Sequence, residues 1–423
     1  MIETRFKETE IGSIPEGWAA KILGDFFEIG SSKRVMQYQW KSQGIPFLRA
    51  REIVSLFNNT PFSQPIYISE TLYNSLKELY GVPAKGDILV TGVGTLGIPY
   101  VVKGYKPFYY KDGNLICLHN MGPIVSKYIY YQLLYPIVKK QIENTGAGST
   151  VGTFTIDKAR TVIFPCPDYE EQQKIADALT SVDELISGIK ELIEKKRSIK
   201  DGAMSELLTG RKRLPEFDEP WVTKSLNEIG TIFPNNCLSR DQLCSTGTIR
   251  DIHYGDILTR FGSIVDASNE DLPYIKPELE EKFLYRESIE QGDIIFADTA
   301  EDETVGKAIE LINVSDRIVS GLHTIWFRPS FKFAERFLGY ILNSNVFHYQ
   351  IPPLASGVKV CSISKPSLLN LKVSYPLNIE EQQAIADILT SMDSEIEALE
   401  NKLHKYEQIK QGMMQQLLTG KIR

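Results

Sequence analysis

Glu170-Glu171-Gln172-Gln173-Lys174-Ile175-Ala176-Asp177-Ala178-Leu179-Thr180-Ser181-Val182-Asp183 returns 210 positions later as Glu380-Glu381-Gln382-Gln383-Ala384-Ile385-Ala386-Asp387-Ile388-Leu389-Thr390-Ser391-Met392-Asp393. The match runs on without a gap. Ile199-Lys200, Gly202, Met204 and Leu207-Leu208-Thr209-Gly210 are answered by Ile409-Lys410, Gly412, Met414 and Leu417-Leu418-Thr419-Gly420. Identity over that length marks a tandem duplication, and the function is expected to need two of something.

Both copies read as long amphipathic helices. Ile175, Leu179, Val182, Ile186, Ile189 and Ile193 alternate spacings of four and three. Ile385, Leu389, Met392, Ile396, Leu399, Leu403 and Tyr406 do the same. That alternation is a coiled-coil seam. Lys196 and Lys200 interrupt it in one copy and Lys410 in the other. About 40 residues at ~1.5 Å each give a rod of roughly 60 Å. Two equivalent helices in one chain are expected to pair, and an antiparallel pair would hold the preceding globular units at opposite ends. The alternative is that each helix packs on its own globular unit.

Outward from these helices the repeat continues with small offsets. Gly17-Trp18 and Lys21 answer Pro220-Trp221 and Lys224. Lys85-Gly86-Asp87-Ile88-Leu89 answers Gln291-Gly292-Asp293-Ile294-Ile295. Ser149-Thr150-Val151 followed by Ile156 answers Ser356-Gly357-Val358 followed by Ile363. The expected domains are a globular unit over 1–165, a helical region over 166–213, a second globular unit over 214–375 and a second helical region over 376–423. Prolines in Leu214-Pro215-Glu216-Phe217-Asp218-Glu219-Pro220 end helical structure in the linker. Short β-branched runs such as Asp87–Val90 and Ile98–Val102 alternate with turns. The tracts Val125–Asn144 and Phe333–Gln350 read as helical. No regular βαβ period appears, so the fold class is α+β: two repeated domains joined by two long helices in an antiparallel coiled coil.

Bulk composition narrows the class. The chain has 423 residues with 42% hydrophobic content, enough for real cores. No apolar run approaches the ~18 residues of a membrane span, and the start of the chain lacks an apolar signal core, so a cytoplasmic protein with no membrane partner is expected. The five cysteines (Cys117, Cys166, Cys237, Cys244, Cys361) form no Cys-x-x-Cys pair. Cys237 and Cys244 near His253 fit no common metal spacing, so free thiols are expected and no metal is assigned. The formal charge of −7 is unevenly spread. Residues 1–165 carry 18 basic and 13 acidic groups, whereas residues 214–375 carry 15 and 23. The first unit can hold a phosphate backbone by charge alone; the second needs its basic groups clustered on one face.

Several strings imitate catalytic motifs. Gly92-Val93-Gly94-Thr95-Leu96-Gly97 matches the dinucleotide fingerprint, with Asp112 about twenty residues on. A helix must begin in that loop to hold a pyrophosphate. Ile98-Pro99-Tyr100-Val101-Val102 follows instead, and a strand–turn–strand hairpin is expected. Ile351-Pro352-Pro353-Leu354 lacks the amide and the aromatic of an adenine-methyltransferase motif. Neither a P-loop nor a nuclease constellation is recognisable, and His119, His253, His323, His348 and His404 have no nucleophile at a familiar spacing. No catalytic residue is assigned. Gly44–Ile53 and Gly247–Ile257 occupy matching places and put basic groups at the end of an apolar strand. They serve DNA contact or a local ion pair such as Arg51 with Glu52.

Taken together, the chain resembles the specificity subunit of type I restriction–modification systems. The resemblance rests on the paired Glu-Gln-Gln-x-Ile-Ala-Asp helices with their Leu-Leu-Thr-Gly ends. Pro46-Phe47-Leu48-Arg49, Ile252-His253-Tyr254-Gly255-Asp256-Ile257 and Gly292-Asp293-Ile294-Ile295-Phe296-Ala297-Asp298 add to it. It implies two target-recognition domains, each reading half of a split double-stranded DNA site, with the coiled coil fixing the gap. It also implies two modification subunits docked on the helices, which bind S-adenosylmethionine, and two restriction subunits that use ATP and Mg. The chain itself would hold no cofactor. On that reading the expected DNA contacts are Lys33, Arg34, Arg49, Arg51 and Thr95 in the first unit. In the second they are Arg240, His253, Tyr254, Arg260, Lys307 and Lys359; arginines lead because Arg–guanine is the commonest specific pairing. Two other readings stay open: a single-chain enzyme with a disguised active site, and a structural adaptor with two protein-binding units.

Overall fold

Ile88-Leu89-Val90 and Ile294-Ile295-Phe296-Ala297 are unbroken apolar runs, and a run without alternation needs cover on both faces of its strand. The structure, a computed structural model, describes residues 5–104, 106–143, 152–357 and 359–422. It comprises two compact units, Met1–Ile189 with Lys402–Arg423, and Lys190–Asn401.

In the first unit, Ile88–Thr91 lies between Leu115–Asn120 and Pro99–Val101, antiparallel to both, and Phe27–Gly30 completes a four-stranded sheet. Ile88 and Val90 enter a core with Trp18, Tyr128, Ile129, Ile175 and Leu179. Leu89 enters a second core with Leu48, Ile53 and Cys117. The second unit repeats the plan. Ile294–Ala297 lies between Thr324–Pro329 and Ala308–Ile312 in a five-stranded sheet. Ile294 and Phe296 face Leu226, Phe337, Ile385 and Leu389, while Ile295 and Ala297 face Ile252, Ile257 and Trp326. Burying one such side chain contributes roughly 1.5–3 kcal/mol, so both faces matter.

A smaller sheet stands beside each large one. Ile45–Leu48 pairs antiparallel with Tyr67–Ile68 and parallel with Tyr109–Tyr110. Ile249–Ile252 pairs antiparallel with Tyr274–Ile275 and parallel with Arg317–Ser320. The predicted helical tracts are each broken in two. Ser126–Leu134 is followed by Pro136–Glu143, and Phe337–Leu342 by Asn345–His348. Pro136 cannot continue the preceding hydrogen-bond ladder, and Ser344 restarts a helix by capping Phe347 N. The third repeat match needs re-registering. Thr155 and Ser364 cap the equivalent short helices Ile156–Arg160 and Lys365–Leu369, so Ile363 answers Phe154 and not Ile156. Residues 149–151, and Val358 opposite them, lie outside the described residues.

The duplicated helices span Tyr169–Leu207 and Ile379–Leu417. The structure gives three of the repeated polar letters matching tasks in the two units. Glu171 accepts the indole N–H of Trp18 at 3.1 Å, and Glu381 that of Trp221 at 3.3 Å. Gln172 is buried, accepts from Val125 N and donates to Pro167 O; Gln382 is buried, accepts from Ala334 N and donates to Pro376 O. Each amide thereby satisfies two backbone groups that water cannot reach. Asp183 takes the Tyr131 hydroxyl on one oxygen and Lys410 on the other. Asp393 takes Tyr340 and Lys200 in the same way.

Those last contacts fix the helix direction. In the first unit the start of the first long helix meets the end of the second, through Asp183–Lys410 and through Leu418, buried beside Leu179. In the second unit the start of the second helix meets the end of the first. Lys196 bridges to Glu395 and Arg197 to Glu400, and Leu207 and Leu208 are buried beside Ile385. The pairing is antiparallel in both. Ile175, Leu179, Ile385 and Leu389 belong to the globular cores; Ile186, Ile189, Ile193 and Ile396 are buried further along, and Val182, Met392, Leu399, Leu403 and Tyr406 are half-buried. The lysines that interrupt the apolar spacing reach acids on the facing helix.

Replacing Gln382 by Ala leaves Ala334 N and Pro376 O unsatisfied. It should destabilise the second unit by about 1–3 kcal/mol. Gln383→Ala, which removes only an exposed bond to Asp387, should change the thermal midpoint little. Equal shifts for the two variants would contradict this reading of the motif.

Candidate nucleic-acid interface

Strand directions gather most of the candidate residues at one end of each unit. In the first unit, Leu115–Asn120 runs antiparallel to Phe27–Gly30 and Ile88–Thr91, and Ile45–Leu48 runs parallel to Tyr109–Tyr110. The segments 31–34, 49–52, 92–97 and 111–114 therefore emerge together. They carry Lys33, Arg34, Arg49, Arg51 and Thr95. The same argument in the second unit brings together 234–240, 253–256, 298–299 and 321–323.

The side chains at these ends differ in how free they are. Arg34 is exposed and pairs with Asp112 at 2.8 Å. Lys33 is exposed, its ammonium 5.4 Å from the Tyr80 ring. Arg49 is mostly covered and gives a forked pair of hydrogen bonds to Glu52, one of 3.0 Å from Nε; Arg51 bonds to the same carboxylate, and both guanidiniums also reach Gln64 O. Burial pushes the Glu52 carboxyl up, but the arginine bonds outweigh it and hold the group below its ordinary range. Thr95 is exposed in the glycine loop, with Gly94 and Gly97 at positive φ. That loop joins two paired strands, Ile88–Thr91 and Pro99–Val101, and no helix begins in it.

Asp256 is the counterpart of Glu52 in the second unit. It is buried and takes a fork of two 2.8 Å bonds from Arg240; Arg260 lies 3.5 Å away. His253 caps the helix Tyr254–Thr259 by accepting from Gly255 N, and its ring lies 4.6 Å from that of Tyr254. Burial, then Arg240, pushes the His253 imidazole pKa down. Lys307 stands apart: its ammonium donates to Phe261 O at 2.6 Å and Leu258 O, closing the end of the same helix. Lys359 is exposed in the turn before Cys361–Ser362, a strand that pairs with Thr299–Ala300.

The sequence reading passed over a buried acid in each unit. Asp87 accepts from Ala84 N, Asn120 N and His119; Asp293 accepts from Glu290 N, Trp326 and Arg328. The repeated word Gly-Asp-Ile was the available signal. Asp87, Cys117 and His119 have metal-ligand chemistry and lie close together. The carboxylate is already taken by three donors, however, and in the matching place Arg328 supplies the positive partner, so the cluster reads as a structural pin. Asp251 is another hidden acid. It is fully buried, accepts from Asn236 on one oxygen, and its other oxygen has no partner among the described residues. Burial pushes its pKa up to about 7.

A family of DNA specificity proteins accounts for this duplicated architecture. The family model for the type I restriction modification DNA specificity domain matches residues 15–195 and again 218–411, and the chain belongs to that family. It is 26% identical over 445 residues to the type I restriction enzyme MjaVIII specificity subunit of Methanocaldococcus jannaschii, covering 100% of this chain and 96% of that one. It is 31% identical over 171 residues to a putative type I restriction enzyme specificity subunit, S.HindORF215P, of Haemophilus influenzae, covering 40% and 41% of the two chains. The fold matches the crystal structure of a type I restriction–modification S subunit from M. genitalium with a TM-score of 0.58, at 16% identity over 98% of this chain and 99% of that one.

Asp251 gives a pH test of the second unit. Its folded pKa of about 7 exceeds the unfolded value of ~3.9. The folded state thus holds a proton that the unfolded chain has lost between those values. The stability contribution is full below about pH 4 and is lost as the pH rises to about 7. Asp251→Asn should therefore stabilise the protein by about 4 kcal/mol more at pH 8 than at pH 4, read as a difference in thermal midpoints. A shift independent of pH would contradict the assignment.

Proposed function

We propose that this chain is the DNA sequence-specificity subunit of a type I restriction–modification complex, with each unit reading one half of a bipartite duplex site. The observation that carries the reading is the duplication itself: two equivalent units present loops at one end and bind a long helix at the other. The domains would be target-recognition units over 1–165 and 214–375, with helical regions over 166–213 and 376–423 setting the gap between half-sites. Sequence is read through hydrogen bonds to base edges, while phosphate contacts fix the register. Two readers multiply specificity because mismatch penalties of ~1–3 kcal/mol add across separated positions.

The candidates divide by availability. Lys33, Arg34, Thr95 and Lys359 are exposed and can meet DNA directly. Arg49, Arg51, Arg240 and Arg260 share buried acids and would meet it as pre-oriented donors, alongside His253 and Tyr254. Lys307 would act indirectly, by fixing the helix that carries Tyr254. The chain supplies address and scaffold, without catalysis or cofactor of its own. Modification subunits carrying S-adenosylmethionine and restriction subunits using ATP and Mg would supply the chemistry in the cytoplasm, two of each. Leu192 and Ile199, exposed seven residues apart on the first long helix, support docking of partners there.

Mapping DNA methylation in the host, with and without this chain, tests the proposal. The expected result is a two-part motif whose modification vanishes when the chain is removed. Methylation that persists unchanged would reject the proposal, and turnover by the purified chain alone with S-adenosylmethionine and DNA would favour a single-chain enzyme.

A further inference from the structure

The turn Gly321-Leu322-His323 joins the two sheets of the second unit at its loop-bearing end. It is held from several sides. Gly321 N donates to Ile252 O, Tyr254 N to Leu322 O and Asp298 N to His323 O. Only glycine fits at 321, where a Cβ would run into Asp251 Oδ1 and Ile252 O. At the end of this rigid turn His323 sits at φ +54°, a left-handed conformation that residues with a Cβ disfavour. Strain of that kind persists where the surroundings impose it, and it is concentrated at functional sites.

The imidazole itself is 47% exposed yet oriented. It meets the Tyr254 ring edge-on at 5.2 Å, and its Nδ1 lies 3.3 Å from both Asp298 Oδ1 and the Thr299 hydroxyl. With Nδ1 engaged, Nε2 is the polar atom left for a ligand. The surroundings argue against a phosphate contact: Asp298 is adjacent, and exposed Glu301, Asp302 and Glu303 follow in the next loop. An anionic backbone is repelled there, whereas a base edge is not. The matching place in the first unit is Asn114, whose carbonyl accepts from Gly92 N as that of His323 accepts from Asp298 N. Both units thus put a short hydrogen-bonding side chain at this point.

We propose that His323, oriented by Tyr254, Asp298 and Thr299, is a specificity-determining residue that reads a base edge in the half-site of the second unit. The inference rests on the DNA-specificity reading above. A preset ring on an over-determined turn loses little freedom on binding, which favours discrimination.

The test is the methylation motif of host DNA with the wild-type chain, His323→Asn and His323→Gly. Both substitutes tolerate positive φ, and the thermal midpoint of each purified variant checks that the fold survives. The expected result is discrimination reduced about tenfold or more at one or two adjacent positions of one half-site, with the other half unchanged. An unchanged motif, at full or uniformly lowered methylation, would overturn the inference. If the wild-type chain itself directs no motif-dependent methylation, the underlying reading fails, and the inference with it.

Discussion

The end of the other long helix completes the core of each unit. Each unit consists of its own globular fold, the first turns of the helix that follows it, and the last turns of the other helix. Leu418 is buried in the first unit and Leu208 in the second. Gly420 turns at φ +66° against Trp18 and Pro15, and Gly210 at φ +67° against Trp221. Neither globular fold is complete with only the residues adjacent to it in sequence. The duplication is therefore a structural requirement as well as a functional one.

The polar parts of that exchange are placed where they specify direction. Asp183 and Asp393 each hold a tyrosine of their own globular fold and a lysine from the facing helix. A parallel arrangement would bring Asp183 beside Asp393 instead of beside a lysine. Ion pairs at exposed positions such as Lys196–Glu395 contribute little to stability, but they penalise the wrong register. Apolar packing supplies the energy; the half-buried acids choose the partner.

Much of this could be read from the sequence because the chain states it twice. The helices and their pairing followed from repetition and spacing, and the α+β class and the hairpin character of the glycine loop from the β-branched runs beside the turns. What spacing does not encode is which polar groups meet across the fold. The Arg51–Glu52 pair was one of the two readings of its stretch, but only the folded chain shows that Glu52 and Asp256 are buried and that Arg49 and Arg240 join them. The break before Pro136 was within reach of a local rule, whereas the sequestering of the Lys307 ammonium by Phe261 O depends on a contact between distant segments. His323 carries no motif at all; its turn is held by hydrogen bonds to two other segments, 252–254 and 298.

A length series of the two helices addresses the central claim, that paired helices set the distance between two independent readers. Four residues, about one turn, would be inserted after Ile189 and after Asn401, and the methylated motif mapped in host DNA. The account predicts that both half-motifs keep their bases while the gap between them changes. Half-motifs that persist with an unchanged gap would contradict it.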